Sequence, residues 1–416
     1  MQEVAAYSTV AVMLGLIVAR PSVGRTFRLT PAITAFGGVI FLITLGIVKP
    51  EHCVQAAANL WTPFVAIASI MVMTDVARRV GLLDWWASLI DARATSTRKL
   101  FLLVFVLGVV TSTSFNNDAA ILLLTPLVIA LVHRRYPGRA KPAVPFAFAV
   151  FMSAGVAAFP VSNPMNMVVA EFIGISFNEY ARHMIPVAAA GWLIAYFVLK
   201  RLFKSQLGAS IAEALEDVPR STKVQRLMIV LLACVLVSYP VFGSLGGPVW
   251  AVATAGAILS LMLAWRRLGT NPLRVVREGV SWDTLAFLCA ALIVSLGLKE
   301  VGLVNRLAEL YRGSGLATVG LTSAIGSALL NNHPMSHLNM MALKSASQDG
   351  NLRVFAALVG GDLGPRLLPM GSLAGLLWLD ILHRHGVDIS AGRFVRVGLL
   401  VAAPTIAVSL AILSFF

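Results

Sequence analysis

The stretch TSFNNDAAILLLTP, Thr113 to Pro126, places two amides and an acid, Asn116, Asn117 and Asp118, between two apolar runs long enough to reach the middle of a bilayer. A second interruption of the same kind, LLNNHPMSH at 329–337, sits inside the apolar segment 315–344. In hydrocarbon every unpaired backbone group is costly, so non-helical chain at that depth survives only when enclosed by protein or lining a wet cavity. Each interrupted segment is therefore expected to be two short half-helices meeting at a tip, one hairpin near 98–133 and one near 315–344, with the two tips meeting inside the protein.

The rest of the composition supports a bilayer setting. The chain of 416 residues is 58% hydrophobic and 12% charged, with a mean hydropathy of +0.83, outside the usage of a soluble domain. A crossing takes about 20 apolar residues. Ten stretches qualify, near 4–20, 30–49, 59–80, 143–173, 184–203, 224–241, 246–266, 279–300, 352–383 and 395–416. The expected fold is an all-α polytopic membrane protein with ten transmembrane helices and two re-entrant helical hairpins. No cleavable signal is expected, because MQEV lacks a basic region ahead of the first apolar run. Cys53, Cys234 and Cys289 are odd in number and at no metal-like spacing, so no disulfide framework is implied. Two of them lie in apolar runs and read as small buried residues.

A net charge of +14 raises the question of nucleic acid, but the positions of the basic residues point to topology. With the amino terminus outside and both hairpins returning to their side of origin, 25 of the 33 Lys and Arg fall on one side and seven on the other, leaving Arg366 inside a span. That split obeys the positive-inside rule and attraction to anionic lipid. It puts both termini on the external side of an inner membrane and leaves nucleic acid out as a partner.

Internal symmetry carries further information. Trp61 precedes VGLLDWW (80–86) by the same 19 residues that separate Trp282 from VGLVNRL (301–307). The NN at 116 recurs at 331, NPMN at 163–166 can be set against LPMG at 368–371, and SFNEYAR at 176–182 echoes SAGRFVR at 390–396. Two repeats are expected, 1–203 and 224–416, joined by a hydrophilic cytoplasmic linker at 204–223. Five crossings per repeat is an odd number, so the second must insert upside down relative to the first. Such inverted repeats with discontinuous helices hold their substrate and coupling ions near the midplane.

Each repeat carries a second interruption in its fourth crossing. AAFPVSNPMNMVVAEF sets Pro160 and Pro164 around Ser162 and Asn163, and VGGDLGPRLLPMGS sets Gly and Pro around Asp362, Arg366 and Ser372. That density of Gly and Pro predicts unwound chain within 143–173 and 352–383, with a simple kink as the alternative. Asn117, Asp118 and Asn332 stand where they can cap the second arm of each hairpin, although two amides per tip exceed what one helix end requires. Intramembrane ionisable residues are functional candidates. Asp118 and Asp362 qualify, and Asp362 can instead pair with Arg366 four residues on. Asp75, Glu171 and Asp380 lie nearer span ends and read as snorkelling or ion-paired. His333 and His337, four apart, can form one face of a metal site, titrate near the tip, or simply hydrogen-bond there.

At this point the strings FNNDAAILLLTPLVIALV, VSNPMNMVVAEF, ALLNNHPM and GGDLGPRLLPMGSLAGLLWLDILHRHGVDISAGRFVRVGLL resemble the ArsB-type arsenite permeases of the ion transporter superfamily, through nearly the whole chain. The resemblance implies secondary export of arsenite and antimonite in exchange for protons, in some systems with a soluble arsenite-stimulated ATPase as partner. By position it implies substrate contacts from Asn116, Asn117, Ser162, Asn163, Asn331, Asn332 and Ser372, proton coupling through Asp118 and Asp362, and no cofactor. His333, where the family pattern is apolar, joins the proton-coupling candidates, and Arg366 is assigned to charge pairing. Arsenite near neutral pH is mostly an uncharged trihydroxide, which suits amides and hydroxyls better than a strong counter-charge. No Gly-Lys pair completes a phosphate-binding loop, so the chain has no such route to nucleotide hydrolysis. The rival readings are a sodium-coupled dicarboxylate carrier or sodium/proton antiporter of the same superfamily and, from another class, a membrane-embedded enzyme. The first typically carries Ser-Asn-Thr at its tips, where this chain has SNP and NNH. The second lacks a nucleophile–base or metal constellation.

Overall fold

A computed structural model of the chain describes residues 1–19, 21–23, 27–136, 142–208, 220–346 and 351–416. Most of the expected linker, 209–219, lies outside them, as do Arg20, Arg25, Arg139 and Lys141 of the basic side. Nineteen helices run through the described residues, with one two-residue antiparallel ribbon pairing Ser22–Val23 with Phe27–Arg28.

The first half comprises α1 (Gln2–Ala19), α2 (Pro31–Thr44), α3 (Pro50–Arg79), α4 (Leu82–Arg93), α5 (Thr97–Ser114), α6 (Asn117–Arg135), α7 (Ala143–Ser153), α8 (Pro164–Ile173) and α9 (Phe177–Leu202). The second comprises α10 (Lys223–Ser244), α11 (Val249–Leu268), α12 (Pro272–Gly279), α13 (Trp282–Glu300), α14 (Leu303–Tyr311), α15 (Leu316–Leu330), α16 (Asn332–Ser345), α17 (Leu352–Leu363), α18 (Leu373–Arg384) and α19 (Ala391–Leu413). Apart from the short α12 and the lengths of α2 and α11, 14 and 20 residues, the order of long, short, hairpin and broken elements is the same in both.

Packing follows the same exchange. Helix α3 packs on α11 while α13 packs on α2; α6 packs on α18 while α16 packs on α8; α9 and α19 pack on each other. Each of these contacts between unlike elements of the two halves is matched by its counterpart, as a twofold relation requires. Close approach depends on small residues, as membrane helix contacts generally do. A Cβ on Gly360 of α17 would lie 2.2 Å from the Gly320 carbonyl oxygen of α15, and one on Gly364 would lie 2.3 Å from that of Ala324. In the first half a Cβ on Gly108 of α5 would fall 2.0 Å from Ser153 Oγ of α7.

Among the described residues nine helices are long and apolar enough to cross a bilayer: α1, α3, α5, α6, α9, α10, α11, α13 and α19. Two of these, α5 and α6, are the arms of the first hairpin, so seven fall on the ten expected stretches. Helix α2 has only 14 residues, and the crossings at 143–173 and 352–383 are each two shorter helices. The arms of the first hairpin are 18 and 19 residues, longer than the short half-helices expected, whereas those of the second are 15 and 14. Helix α6 runs on through Pro126 instead of stopping there.

The sequence repeats turn out to be repeats of turn chemistry. Gly81 and Gly302, in the two VGL motifs, hold φ of 69° and 86° where α3 turns into α4 and α13 into α14. That left-handed region is open to glycine at no steric cost. Ser176 and Ser390, which open the two Ser…Arg echoes, are the N-caps of α9 and α19, accepting from Glu179 and Arg393 N–H at 3.1 and 3.3 Å. Near the basic end, Asp75 accepts from Arg78 and Arg79 at 2.6 and 2.5 Å, and Asp380 pairs with Arg384 at 2.7 Å, so both read correctly as ion-paired. Glu171 is exposed. Cys234 is exposed because α10 turns much of its surface outward, and Cys289 on α13 is half-buried, so neither is the fully buried small residue expected.

Candidate functional site

The first asparagine of each pair is a helix cap. Asn116 Oδ1 accepts from Ala119 N–H at 2.6 Å to start α6, and Asn331 Oδ1 accepts from His333 N–H at 3.3 Å to start α16. Capping therefore falls one residue earlier than the expected Asn117, Asp118 and Asn332. The second asparagine of each pair, buried like the first, is left over. Asn117 makes no hydrogen bond among the described residues, and Asn332 Oδ1 is enclosed without a partner. Asp118 sits half-buried in the first turn of α6, favourably placed toward the positive end of the helix dipole, with no hydrogen bond of its own.

Both broken crossings are unwound as expected. After α7 ends at Ser153 the chain runs irregularly to a 3-10 turn at Pro160–Ser162, and Asn163 then caps α8 by accepting from Met165 N–H at 3.1 Å. After α17, two 3-10 turns at Gly364–Arg366 and Pro369–Gly371 lead to Ser372, which caps α18 by accepting from Gly375 N–H at 3.0 Å. Asn163 and Ser372 thus hold equivalent stations.

The crossings meet at Asp362. One carboxylate oxygen accepts from Asn163 Nδ2 at 2.7 Å; the other accepts from Ala157 N–H at 2.9 Å and Asn166 Nδ2 at 3.0 Å. All three donors come from the opposite half. Tyr180 completes the cluster, receiving Asn166 Nδ2 at 2.7 Å and donating to the Ala157 carbonyl at 3.3 Å. The expected pairing of Asp362 with Arg366 is not made among the described residues. The chain tightens to a 3-10 turn between them, and at three residues per turn positions four apart no longer share a face. Arg366 instead donates to the Ala154 carbonyl and lies over the Phe151 ring, 4.5 Å from its centroid, with Asp362 and Asp118 both within electrostatic reach.

Among the described residues no side-chain hydrogen bond joins the two tips directly; they reach this centre through the crossings. Ser162 Oγ donates to the Thr113 carbonyl beside the first tip at 3.3 Å. Ser336, one turn beyond the second tip, donates to Met165 Sδ of α8 at 2.6 Å. His333 and His337 are 3% and 1% exposed, so both are enclosed by protein. Nδ1 of His333 and both ring nitrogens of His337 have no partner. Among the described residues no group of three His, Cys, Asp or Glu stands close enough to hold a metal ion.

Sequence reading overlooked Asn166, Tyr180, Ser336 and the network in which Tyr311 donates to Asn339 at 2.6 Å and Asn339 to Ser323 at 2.8 Å. The signal for Asn166 was present: Asn163 and Asn166 are three apart and share a helix face. Buried polar atoms without partners are uncommon in folded proteins. Here nine of the thirteen among the described residues belong to the hairpins and broken crossings, including those on Thr111, Asn166, Ser327, Asn332, the two histidines and Arg366. Unsatisfied hydrogen-bonding capacity is therefore concentrated where the helices are interrupted.

Comparison with known proteins places the chain among membrane transporters. A family model described as "ArsB: Arsenical pump membrane protein" matches residues 10–416. The Arsenical pump membrane protein of Escherichia coli (strain K12) is 31% identical over 400 residues, covering 91% of each chain. That of Yersinia enterocolitica is 28% identical, covering 94% of this chain and 93% of its own. Among solved structures, the Alcanivorax borkumensis YdaH transporter matches 100% of this chain and 98% of its own at a TM-score of 0.60 and 16% identity, a likeness that speaks for the fold alone.

Proposed function

The chain belongs to the arsenical pump membrane protein family, and from that premise we propose that it exports trivalent arsenic, as arsenite and antimonite, across the inner membrane in exchange for protons, conferring arsenic resistance. The observation that carries the proposal is the concentration of unpartnered buried amides, hydroxyls and imidazoles on the four interrupted elements. A neutral trihydroxide offers three groups that each donate and accept, and Asn117, Asn332, Ser327 and the histidines offer complementary groups without imposing a net charge. Asn116, Asn331, Ser162, Asn163 and Ser372 hold the backbone of the tips and crossings in place around it.

Proton exchange is assigned to Asp362 and Asp118, with His333 beside the second tip. Ionised Asp362 accepts three hydrogen bonds from the first half. A proton on it turns one acceptor into a donor, which cannot face the amide donors already there. Protonation then loosens the seam between halves that an alternating-access motion must break, so proton and cargo share one joint. Both termini face the external side in this reading, which follows the positive-inside distribution.

Inside-out vesicles provide the test. Arsenite is expected to accumulate when a proton gradient, acid inside, is imposed, and to leak back when the gradient is collapsed. Succinate uptake that depends on sodium, without arsenite movement, would overturn the proposal in favour of a dicarboxylate carrier. A soluble ATPase partner is not needed for this outcome, and added ATP is expected to change nothing in purified proteoliposomes.

A further inference from the structure

A groove of about 760 Å³ runs along the outer surface between α10 and α11. Those helices pack on each other and on α3, α9 and α12, so the groove stands apart from the hairpins and broken crossings. From Ala251 at one end to Arg267 at the other it follows α11 for about 24 Å at 1.5 Å per residue. That is most of a hydrocarbon core about 30 Å thick. Its floor is apolar throughout. The few polar groups along it are already settled, Ser238 Oγ donating to the Cys234 carbonyl at 2.7 Å.

One end differs. Arg266 and Arg267 close the groove on α11, both exposed and in no ion pair among the described residues, and no carboxylate lines it. Lys223 and Arg226, also exposed, stand in the first turns of α10 at the same end, next to the groove residue Leu227. This is the end that carries the basic excess of the chain.

We propose that the groove binds one anionic glycerophospholipid, with an acyl chain laid along α10 and α11 and the phosphate held by Arg266 and Arg267. Two arginines at a membrane boundary favour a phosphate whose charge no ammonium in the same head group offsets, and basic pockets between transmembrane helices on the cytoplasmic side are where anionic head groups bind. Shape supplies the rest. Lipid tails gain nothing hydrophobic by leaving other tails, so retention in a groove rests on packing and on the head group. The groove wall also packs closely on α3, since a Cβ on Gly256 would meet Met73 of α3 and Val235 of α10, both at 2.7 Å. A bound lipid therefore braces α10 and α11 against α3.

The test uses the full chain purified in mild detergent and equilibrated with equal amounts of phosphatidylethanolamine, phosphatidylglycerol and cardiolipin, followed by native mass spectrometry. One phosphatidylglycerol or cardiolipin is expected to stay bound in preference to phosphatidylethanolamine. Arg266→Gln or Arg267→Gln each lowers that preference about 5-fold, and the pair about 30-fold. Ala255→Trp, which fills the groove from an exposed position, reduces retention of all three lipids. Excess inorganic phosphate displaces none of them, because the head group alone is not the ligand. With Cys53 and Cys289 replaced by Ala, maleimide labelling of Cys234 in the groove slows as phosphatidylglycerol is added. Equal retention of phosphatidylethanolamine overturns the proposal, as does an unchanged preference in the double Gln variant. So does rapid Cys234-to-Cys234 cross-linking at saturating lipid, which would give the groove to a second copy of the chain.

Discussion

Asn163 of the first half donates its side-chain amide to the Asp362 carboxylate of the second at 2.7 Å, across 199 residues of sequence. The same asparagine caps α8, so one side chain both starts a half-helix and fastens it to the opposite repeat. Losing both contacts in Asn163→Ala is expected to cost about 2–4 kcal/mol, one hydrogen bond to a charged group plus one cap. Asp362→Asn keeps the size of the side chain but places an amide opposite two amides. Thermal unfolding in detergent should show a loss of stability for Asn163→Ala. Asp362→Asn should fold yet fail to couple arsenite flux to a proton gradient; full coupling in that variant would remove Asp362 from the mechanism.

The two asparagine pairs divide the work. Asn116→Ala removes a cap and is expected to cost about 1 kcal/mol, while Asn117→Ala stays within about 0.5 kcal/mol of the parent because it gives up no hydrogen bond. Transport should rank the other way, with Asn117→Ala and Asn332→Ala losing arsenite flux at retained stability. Equal flux in parent and Asn117→Ala would leave the second asparagine without a purpose.

A finer discrimination comes from backbone shape. Asn331 holds φ of 78°, the one non-glycine residue at positive φ among the described residues, whereas Asn116 is extended at −164°. With ψ of 147° this is not the left-handed helical region but one nearly confined to glycine, where any other residue is strained by about 1–3 kcal/mol. Asn331→Gly should therefore be milder than Asn331→Ala by about that amount, because glycine also serves as a cap at a cost of only a few tenths. At Asn116 the two substitutions differ through the cap alone. Melting temperatures of the four variants decide it, and an equal penalty at Asn331 would contradict the assigned backbone.

Much of this was legible because the repeats in sequence are residues with fixed local jobs. Gly81 and Gly302, Ser176 and Ser390, and Asn116 and Asn331 recur because each turn needs that chemistry, so a 3.6-residue pattern interrupted at matching stations reveals the two halves. What could not be read was pairing across the halves. Asp362 looked tied to Arg366 because four residues apart means neighbours on an α-helix, and only the 3-10 turn between them removes that relation. Which apolar face meets lipid was equally hidden, since Cys234 and Cys289 sit in runs of the same composition. Hydrocarbon and protein interior select alike for apolar side chains, so the pattern loses its contrast.

At the basic end, α12 is tied to α3 by Glu278, which accepts from Arg79 at 2.8 Å and from Arg274 at 2.7 Å. The hydrogen bond from Arg79, followed by that from Arg274, holds the Glu278 carboxyl below its ordinary range. A depressed folded value means the tether is fully present above the ordinary carboxylate range and is lost as pH falls through the folded value. Hydrogen exchange in α12, taken relative to the intrinsic rate at each pH, should then be slow at pH 7 and rise in acid. In Glu278→Gln it should be fast throughout, with little further change. Exchange in the parent that ignores acid would show that Glu278 does not hold the helix.

Arg366 is a buried guanidinium within reach of carboxylates from both halves, Asp118 and Asp362, and it is fixed by the Phe151 ring and the Ala154 carbonyl instead of by either acid. That arrangement compensates the charge of both acids without a direct ion pair to either. Removing the cation should be severe, since an uncompensated buried charge costs about 3–5 kcal/mol. Arg366→Gln is expected to unfold early, and the double variant Arg366→Gln with Asp362→Asn to recover part of the loss, because the acid left behind is then neutral. Phe151→Leu, which keeps the charges and loses the ring face, should cost about 2 kcal/mol from that contact and leave proton coupling in place. A double-mutant cycle on melting temperature measures the coupling. Strict additivity of Arg366→Gln and Asp362→Asn would mean the two groups do not feel each other, and the shared electrostatic centre between the halves would have to be given up.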